Sequence, residues 1–217
     1  MLILSLSLSL RAYSSSASKI GPESESRLVW ILENIKKKEK SIKTFTATFT
    51  QTKKSALLKD PLRSEGWIYF DHRGKMLFKV THPFPLLVLL ENSALTIHYP
   101  DLSQTRERYL GRNVLESYFG VGQSMEKLQE AYAIHLVSEE SPERCQLKLI
   151  PKSTAMGKHI EAILMTVSLQ NWLPQEIMVM EKGGDHTATR LKFISLNQPL
   201  PPDVFEIPKS EEDEGRF

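Results

Sequence analysis

The stretch KTFTATFTQT, residues 43–52, alternates apolar and hydroxylated side chains. Phe45, Ala47 and Phe49 stand at every second position, with threonines between them. Successive side chains of a strand point to opposite faces, so this alternation predicts a strand with one apolar and one polar face. Similar one-sided runs recur along the chain: Met76, Phe78 and Val80; Ile163, Met165, Val167 and Leu169; Leu191 and Phe193. The runs indicate a sheet whose apolar face must be covered.

Short links between these runs predict how the strands are connected. HRG before Lys75, HPFP at residues 82–85 and PDLS at residues 100–103 are turn sequences. Parallel strands need much longer crossovers, so the links favour antiparallel hairpins. We predict about eleven strands in one mainly β domain.

Helical spacing occurs in two places. Between Ser26 and about Lys40, apolar residues recur on one face, with Ser24 or Ser26 available as a cap. Between Gly111 and Tyr132 the pattern predicts two short helices, the second capped by Ser124. These few amphipathic helices are available to cover the sheet.

The two ends of the chain differ from its middle. LILSLSLSL followed by small residues predicts a secretory signal over residues 1–17. No Lys or Arg precedes this run, so either the true start lies upstream or the signal is atypical. Residues 18–208 contain no Pro/Gly/Ser-rich linker in their middle and are expected to form a single domain. The acidic tail, residues 209–217, is expected to be exposed.

Several function classes find no support in the composition. The 28 basic and 26 acidic residues are mixed along the chain, for a formal net charge of +2, unlike the clustered charge of a nucleic-acid binder. The six histidines show no metal-ligand spacing, so no metal site is predicted. The only cysteine, Cys145, is expected to be a small buried hydrophobe.

The pairs Asp71–His72 and Asp185–His186 are the nearest approach to a catalytic arrangement. Neighbours in a strand point to opposite faces, and no nucleophile accompanies either pair. The residues therefore favour a binding protein over an enzyme, with no catalytic residues and no cofactor. Two alternatives remain for the apolar faces: the pattern alone favours a fully packed core, and it also fits the wall of an apolar cavity.

Four motifs in order resemble the LolA family of periplasmic outer-membrane lipoprotein carriers, over about residues 27–208. FTATFTQTK is similar to the family's F-x-a-x-F-x-Q strand, and SEGWIYFDHRGKMLFKVTHP resembles the stretch that contains R-P-G-K-F-R-W. LENSALTIHYPDLSQ resembles a family hairpin that ends in Tyr-x-Pro, through Tyr99 and Pro100. The closing stretch resembles the N-x-x-l-x-x-x-x-F exit, through Asn197 and Phe205. The family's R-P pair is not intact here, because Gly74 follows Arg73 directly.

The resemblance implies a fold and a function. The expected fold is an incomplete, strongly curved antiparallel β-barrel of about eleven strands, lidded by helices around an apolar cavity. Such a protein is expected to bind the acyl chains of triacylated lipoproteins in the periplasm and carry them from the inner to the outer membrane. An inner-membrane ABC lipoprotein-releasing complex would load it and, where present, an outer-membrane receptor would accept the cargo. A monomer is expected, with no nucleic-acid partner.

The resemblance also assigns residues. In the family an arginine holds the lid closed, and Arg73 inherits that role in a gapped match, whereas His72 takes its place in an ungapped one. The candidates for the acyl-chain cavity are apolar strand residues: Phe45, Phe49, Trp67, Met76, Phe78, Val80, Met165, Val167 and Phe193. The alternative function is a periplasmic lipid-sensing or partner-binding regulatory domain of the same fold. An enzyme acting on an apolar substrate ranks third.

Overall fold

The computed structural model describes residues 22–91, 94–109 and 124–208. They contain eleven strands in one continuous antiparallel sheet, which confirms the predicted fold class. The strands are β1 (Thr44–Lys54), β2 (Leu62–Asp71), β3 (Lys75–His82), β4 (Leu86–Glu91), β5 (Ala94–Tyr99), β6 (Gln104–Tyr109), β7 (Tyr132–Ser141), β8 (Arg144–Pro151), β9 (Ile160–Ser168), β10 (Pro174–Glu181) and β11 (His186–Leu196). The predicted signal and the acidic tail lie outside the described residues.

The order of strands is β6-β5-β4-β3-β2-β1-β11-β10-β9-β8-β7, so the sheet is open, with β6 and β7 at its edges. Consecutive strands pair as hairpins in both halves, as the short links predicted. Strand β1, which contains the alternating stretch of residues 44–52, joins the halves by pairing with β2 and β11. Its register brings apolar residues together across strands, for Phe45 lies opposite Phe70 and Ala47 opposite Ile68.

Three helices accompany the sheet in the described part of the chain: α1 (Pro22–Lys40), α2 (Met125–Ala131) and α3 (Thr154–Gly157). Helix α1 begins four residues earlier than predicted, so Ser24 and Ser26 lie inside it and do not cap it. The cap predicted for α2 is confirmed, because Ser124 Oγ accepts a hydrogen bond from Lys127 N at 3.2 Å. The first of the two predicted short helices falls outside the described residues.

Helix α3 was not predicted, because its four residues carry no apolar period. It begins after Ser153, whose Oγ accepts a hydrogen bond from Met156 N at 3.2 Å. A 3-10 turn at Pro100–Leu102 lies between β5 and β6. None of the helices described over residues 22–91, 94–109 and 124–208 has the length and apolar character needed to cross a bilayer.

After β11 the chain returns across the other half of the sheet. Residues 199–206 lie beside the β2–β3 turn. Pro208 O accepts a hydrogen bond from Thr105 Oγ1 of β6 at 2.7 Å, and the same hydroxyl contacts His98 Nδ1 of β5 at 2.9 Å. The hydroxyl gives its one proton to Pro208, so the buried His98 donates from Nδ1. The last described residue is thus attached to the outer strands β5 and β6.

Candidate functional site

The inner face of the sheet, which we define as the face that packs against α1 and α2, is apolar on β1 to β5 and on β7 to β11. Helix α1 contributes Ile31, Leu32 and Ile35 to the same cluster, all of them buried. Helix α2 adds Met125 and Leu128. The apolar face of the sheet and the apolar stripes of α1 and α2 therefore belong to one core cluster.

Eight of the nine candidate cavity residues lie on this inner face. Phe45, Phe49, Met76, Phe78, Met165 and Val167 are buried in the cluster, while Val80 and Phe193 pack against it half-buried. Their convergence follows from the period of two and from the strand register. Whether they contact a ligand stays a prediction.

Trp67 does not belong with them. It pairs with Thr48 of β1 and Lys79 of β3, and it stacks on Tyr69 with ring centroids 6.3 Å apart. Its two neighbours, Gly66 and Ile68, are buried. Trp67 therefore points to the outer face, and we remove it from the candidate set.

Aromatic rings fill the inner face where the two halves of the sheet meet. The ring of Phe45 stacks on Phe70 at 5.0 Å and meets Phe193 edge-on at 5.2 Å. Phe49 and Phe78 form a second edge-on pair at 6.3 Å. Such pairs hold their rings in defined positions. The inner face is therefore more rigid at these aromatic rings than it would be if flexible side chains such as that of Met165 lined it.

The two helices that cover the inner face are tied together by a hydrogen bond that the sequence did not reveal. Glu39 Oε2 near the end of α1 accepts from Met125 N, the first residue of α2, at 2.9 Å. Burial raises the pKa of this carboxyl, although the hydrogen bond from Met125 opposes the shift. Beside it, Lys40 Nζ lies 3.6 Å from Glu126 Oε1 in an exposed ion pair of little strength.

The inner face is not equally covered along its length. Helix α1 lies against α2 and the edge strand β7, which is at the other end of the strand order from β4 and β5. On β3 to β5, Met76, Phe78 and Val88 are buried, but five other inner-face residues are only half-buried, though they pack against the core: Val80, Leu86, Leu90, Leu95 and Ile97. We call this region of β3 to β5 the open sector. It offers apolar surface that the described helices leave partly accessible.

One polar atom lies inside the apolar cluster. Tyr132, where α2 passes into β7, is 2% exposed, and in the described structure its hydroxyl has no hydrogen-bond partner. Burial raises the pKa of this hydroxyl. A buried hydroxyl without a partner is energetically costly, so this position is a weak point of the packed core.

Arg73 lies in the β2–β3 turn, where it binds the carboxylate of Asp71. Its Nε lies 3.0 Å from both carboxylate oxygens, and its Nη2 lies 2.5 Å from Oδ2. The carboxylate is almost fully buried, whereas the arginine side chain is 77% exposed. The hydrogen bond from the guanidinium lowers the pKa of Asp71 to about 2. The pair borders a cleft of about 460 Å³ between this turn and residues 199–206.

The contacts of Arg73 and His72 bear on which of the two corresponds to the lid-closing arginine of the family. The hydrogen bonds that Arg73 makes in the described structure go to Asp71, so a contact with a lid backbone would require it to change partners. His72 instead bonds the α1–β1 link, with Nδ1 3.1 Å from Lys43 O. The lid-closing role of Arg73 stays a prediction, and the segment 110–123 lies outside the described residues.

The expectation that Asp71 and His72 point apart was wrong, because His72 is in the turn and not in the strand. His72 Nδ1 lies 3.4 Å from Asp71 Oδ1. Both side chains are engaged elsewhere, however, with Arg73 and with Lys43 O. The pair is part of the turn structure.

The described residues give little basis for metal binding or for a cysteine nucleophile. Within them, no three His, Cys, Asp or Glu side chains are grouped to hold a metal ion. Cys145 is fully buried, as predicted, and burial raises the pKa of its thiol to about 11. A thiol in that environment is a poor nucleophile. What the site offers is apolar surface beneath helices, which is the kind of surface that an apolar ligand requires.

Comparison with known proteins places the chain in a family. Residues 40–208 match the family described as "Outer membrane lipoprotein carrier protein LolA". The match covers well over half of the chain, and the chain belongs to the LolA family. This is a family of carrier proteins, in agreement with the resemblance of the four motifs.

Two curated relatives carry the same description. An outer-membrane lipoprotein carrier protein of Dechloromonas aromatica (strain RCB) is 25% identical over 168 residues, which cover 77% of this chain and 78% of the relative. One of Hahella chejuensis (strain KCTC 2396) is 24% identical over 174 residues, covering 78% and 80%.

Solved structures resemble this chain over most of its length, at low identity. A LolA superfamily protein from Nitrosomonas europaea has a TM-score of 0.45 at 13% identity, covering 85% of this chain and 97% of that one. The lipoprotein LppX of Mycobacterium tuberculosis has a TM-score of 0.49 at 9% identity, covering 82% and 99%. At these values neither likeness carries a conclusion about ligand or partner.

Proposed function

We propose that this protein is a periplasmic carrier that binds the acyl chains of lipoproteins on its inner face and carries them from the inner to the outer membrane. The observation that carries the proposal is the open sector: Val80, Leu86, Leu90, Leu95 and Ile97 are apolar, face the core side of the sheet and remain half-exposed. Membership of the LolA family supports the cargo class.

The physical requirement is a match of apolar surfaces. Each methylene removed from water is worth about 0.8 kcal/mol, so an acyl chain leaves a bilayer only if comparable apolar surface receives it. The inner face supplies such surface on ten of the eleven strands. Hydrocarbon needs no directional partner, which agrees with the few polar groups found there. The protein acts by binding and needs neither cofactor nor catalytic residue.

Access to the covered part of the inner face requires α1 and α2 to separate. The hydrogen bond from Met125 N to Glu39 Oε2 is the polar contact that joins them most directly. A hydrogen bond to a charged group contributes about 1.5–3 kcal/mol net. Burying a few methylenes of cargo offsets that cost, so cargo would open the helices and its departure would let them close.

Arg73 is proposed to take part in this opening by leaving Asp71 for the lid. Arg73→Leu would then change the amount of cargo bound, whereas His72→Leu, the matched control, would not. Equal cargo loads in the two variants would remove Arg73 from the mechanism, and an effect confined to His72→Leu would favour the ungapped match.

Residues 1–17 are proposed to direct export, and the proposed partners are an inner-membrane ABC lipoprotein-releasing complex and an outer-membrane receptor. Family membership supports these partners in kind. The alternative function, a regulatory domain that senses lipid and binds a protein partner, predicts a stable protein complex without acylated cargo.

Native mass spectrometry of the protein purified from the periplasm tests the carrier function. We expect a fraction with the added mass of a triacylated lipoprotein, and less of it in Ile97→Asn, whose change lies in the open sector. Ile194→Asn is the matched control, since Ile194 is 51% exposed on β11. Repeated recovery of an empty protein that also fails to bind an apolar dye would contradict the carrier function.

A further inference from the structure

Large apolar side chains are exposed on three alternate hairpin loops. Leu57 between β1 and β2 is 93% exposed, Phe84 between β3 and β4 is 74% exposed, and Leu102 between β5 and β6 is 64% exposed. In an antiparallel sheet alternate connections lie at the same end, so the three loops share one end. We call this end, loops 55–61, 83–85 and 100–103, the hairpin-tip end.

The loop that carries Leu57 is held in a defined shape. Asp185, from the neighbouring β10–β11 turn, accepts a hydrogen bond from Ala56 N at 3.0 Å. Leu58 N donates to Ser55 O at 3.1 Å, and Leu57 N donates to Ser55 Oγ at 3.3 Å. The backbone on both sides of Leu57 is therefore satisfied locally. Leu57 projects into water from a folded turn and is not the middle of a loose segment.

Basic residues surround this apolar tip. Residues 54–63 contain Lys54, Lys59 and Arg63 against one acidic residue, Asp60, and all four are exposed. His82 is exposed beside the second tip. The third tip differs, since Asp101 precedes Leu102. Positive charge is thus concentrated on the β1–β2 loop, around the most exposed apolar side chain.

We propose that the hairpin-tip end binds the surface of an anionic membrane, with Leu57 and Phe84 inserted among the lipids and Lys54, Lys59 and Arg63 against the headgroups. Insertion removes exposed apolar side chains from water, and the negative surface potential attracts the basic residues. The proposal does not rest on the carrier function, because the tips lie outside the inner face.

The spacing of the tips favours a membrane over a protein partner. Neighbouring hairpins are two strands apart, which separates the tips by roughly 10 Å. Apolar tips at that spacing suit a fluid apolar phase, whereas a protein interface is built around a contiguous core. A second copy of this chain in a two-fold dimer would bring the same three basic residues close to their equivalents.

Flotation with lipid vesicles tests the proposal on the full-length protein purified without cargo. We expect wild type to float with vesicles that contain phosphatidylglycerol, not with pure phosphatidylcholine, and less in high salt because screening weakens the attraction. Leu57→Asp is expected to lower binding by about tenfold or more, since it replaces an inserted apolar group with a repelled charge. Ile194→Asp is the matched control, since Ile194 is 51% exposed near the other end of the sheet.

A variant that gains a fluorescence signal on binding separates membrane binding from effects of a substitution on folding. Phe84→Trp is expected to show a blue shift of its emission when phosphatidylglycerol vesicles are added, beyond any change in wild type, and quenching by lipids brominated on the acyl chain. Three results would each overturn the proposal: wild-type protein that does not float, Leu57→Asp that floats like wild type, or emission of the introduced tryptophan that is insensitive to brominated lipid.

Discussion

The guanidinium of Arg73 in the β2–β3 turn binds the buried carboxylate of Asp71, the last residue of β2. Arg73 N donates to the same carboxylate, at 2.9 Å from Oδ1. The exposed Arg73 thus neutralises the buried Asp71 where β2 passes into the β2–β3 turn, close to the link between α1 and β1.

The pair predicts a loss of stability in acid. The pKa of Asp71 falls from an ordinary value of 3.8 to about 2, so the folded state binds the proton less readily than the unfolded chain. The resulting stability is present above the unfolded pKa and disappears as pH falls from about 4 through about 2. We expect it to amount to roughly 1–2 kcal/mol, because the exposed arginine is screened by water.

Denaturant titrations of the free energy of unfolding at pH values from 5 to 2 would measure this loss. Asp71→Asn is expected to be less stable than wild type at pH 5, and the difference should narrow toward pH 2. Asp60→Asn, in the exposed β1–β2 loop, is the control. A constant difference between Asp71→Asn and wild type over this range would contradict the assignment.

Gly66 is expected to tolerate no side chain. A Cβ at this position would lie 2.0 Å from Lys79 O on the paired strand β3. Backbone of a central strand cannot move that far without breaking its ladder, so Gly66→Ala should cost about 3 kcal/mol or more. Gly157→Ala, with nothing within 4 Å of the added Cβ, is the control and should be neutral or slightly stabilising. Thermal denaturation followed by circular dichroism would compare them, and equal melting temperatures would show that β2 and β3 are farther apart.

Asn197 is expected to stabilise the junction between the end of β11 and the start of β1. Its Oδ1 accepts from Lys43 N at 2.6 Å, and its Nδ2 donates to Ser41 O at 2.8 Å. Its backbone has a φ of 56°, which asparagine adopts more readily than alanine.

Asn197→Ala should therefore lower the free energy of unfolding by about 2–3 kcal/mol, as two hydrogen bonds and a favourable φ are lost. Gln198→Ala, at the exposed next position, is the control. Urea titration would measure the free energy of unfolding of both variants. Similar midpoints would mean that the Asn197 side chain does not stabilise the junction.

Tyr132→Phe is expected to stabilise the protein without cargo. The change removes a buried hydroxyl that has no partner in the described structure and keeps the ring. We expect a gain of about 1 kcal/mol in the free energy of unfolding, or a rise in melting temperature of about 2–4 °C. Tyr69→Phe, on the half-exposed outer face, is the control. A lower melting temperature for Tyr132→Phe would show that the hydroxyl has a partner after all.

Much of this fold is local in origin and could be predicted. The alternation in residues 43–52 defined both faces of β1, and Ser124 marked the start of α2. The stretch GWIYF, residues 66–70, was harder, because a run of apolar residues does not show which of them face inward. Only the pairing of Gly66 with Phe49 and Val80 put Trp67 on the outer face.

The sequence by itself determined the period-two strands, the short antiparallel connections and the motifs of the LolA family, since these depend on neighbours along the chain. The tertiary structure decided which residues meet: Glu39 with Met125, Asn197 with Lys43, and the exposed tips Leu57 and Phe84 at one end of the sheet. Each case brings together residues that are far apart in the chain, and their approach depends on strand order and register. Local periodicity carries no information about either.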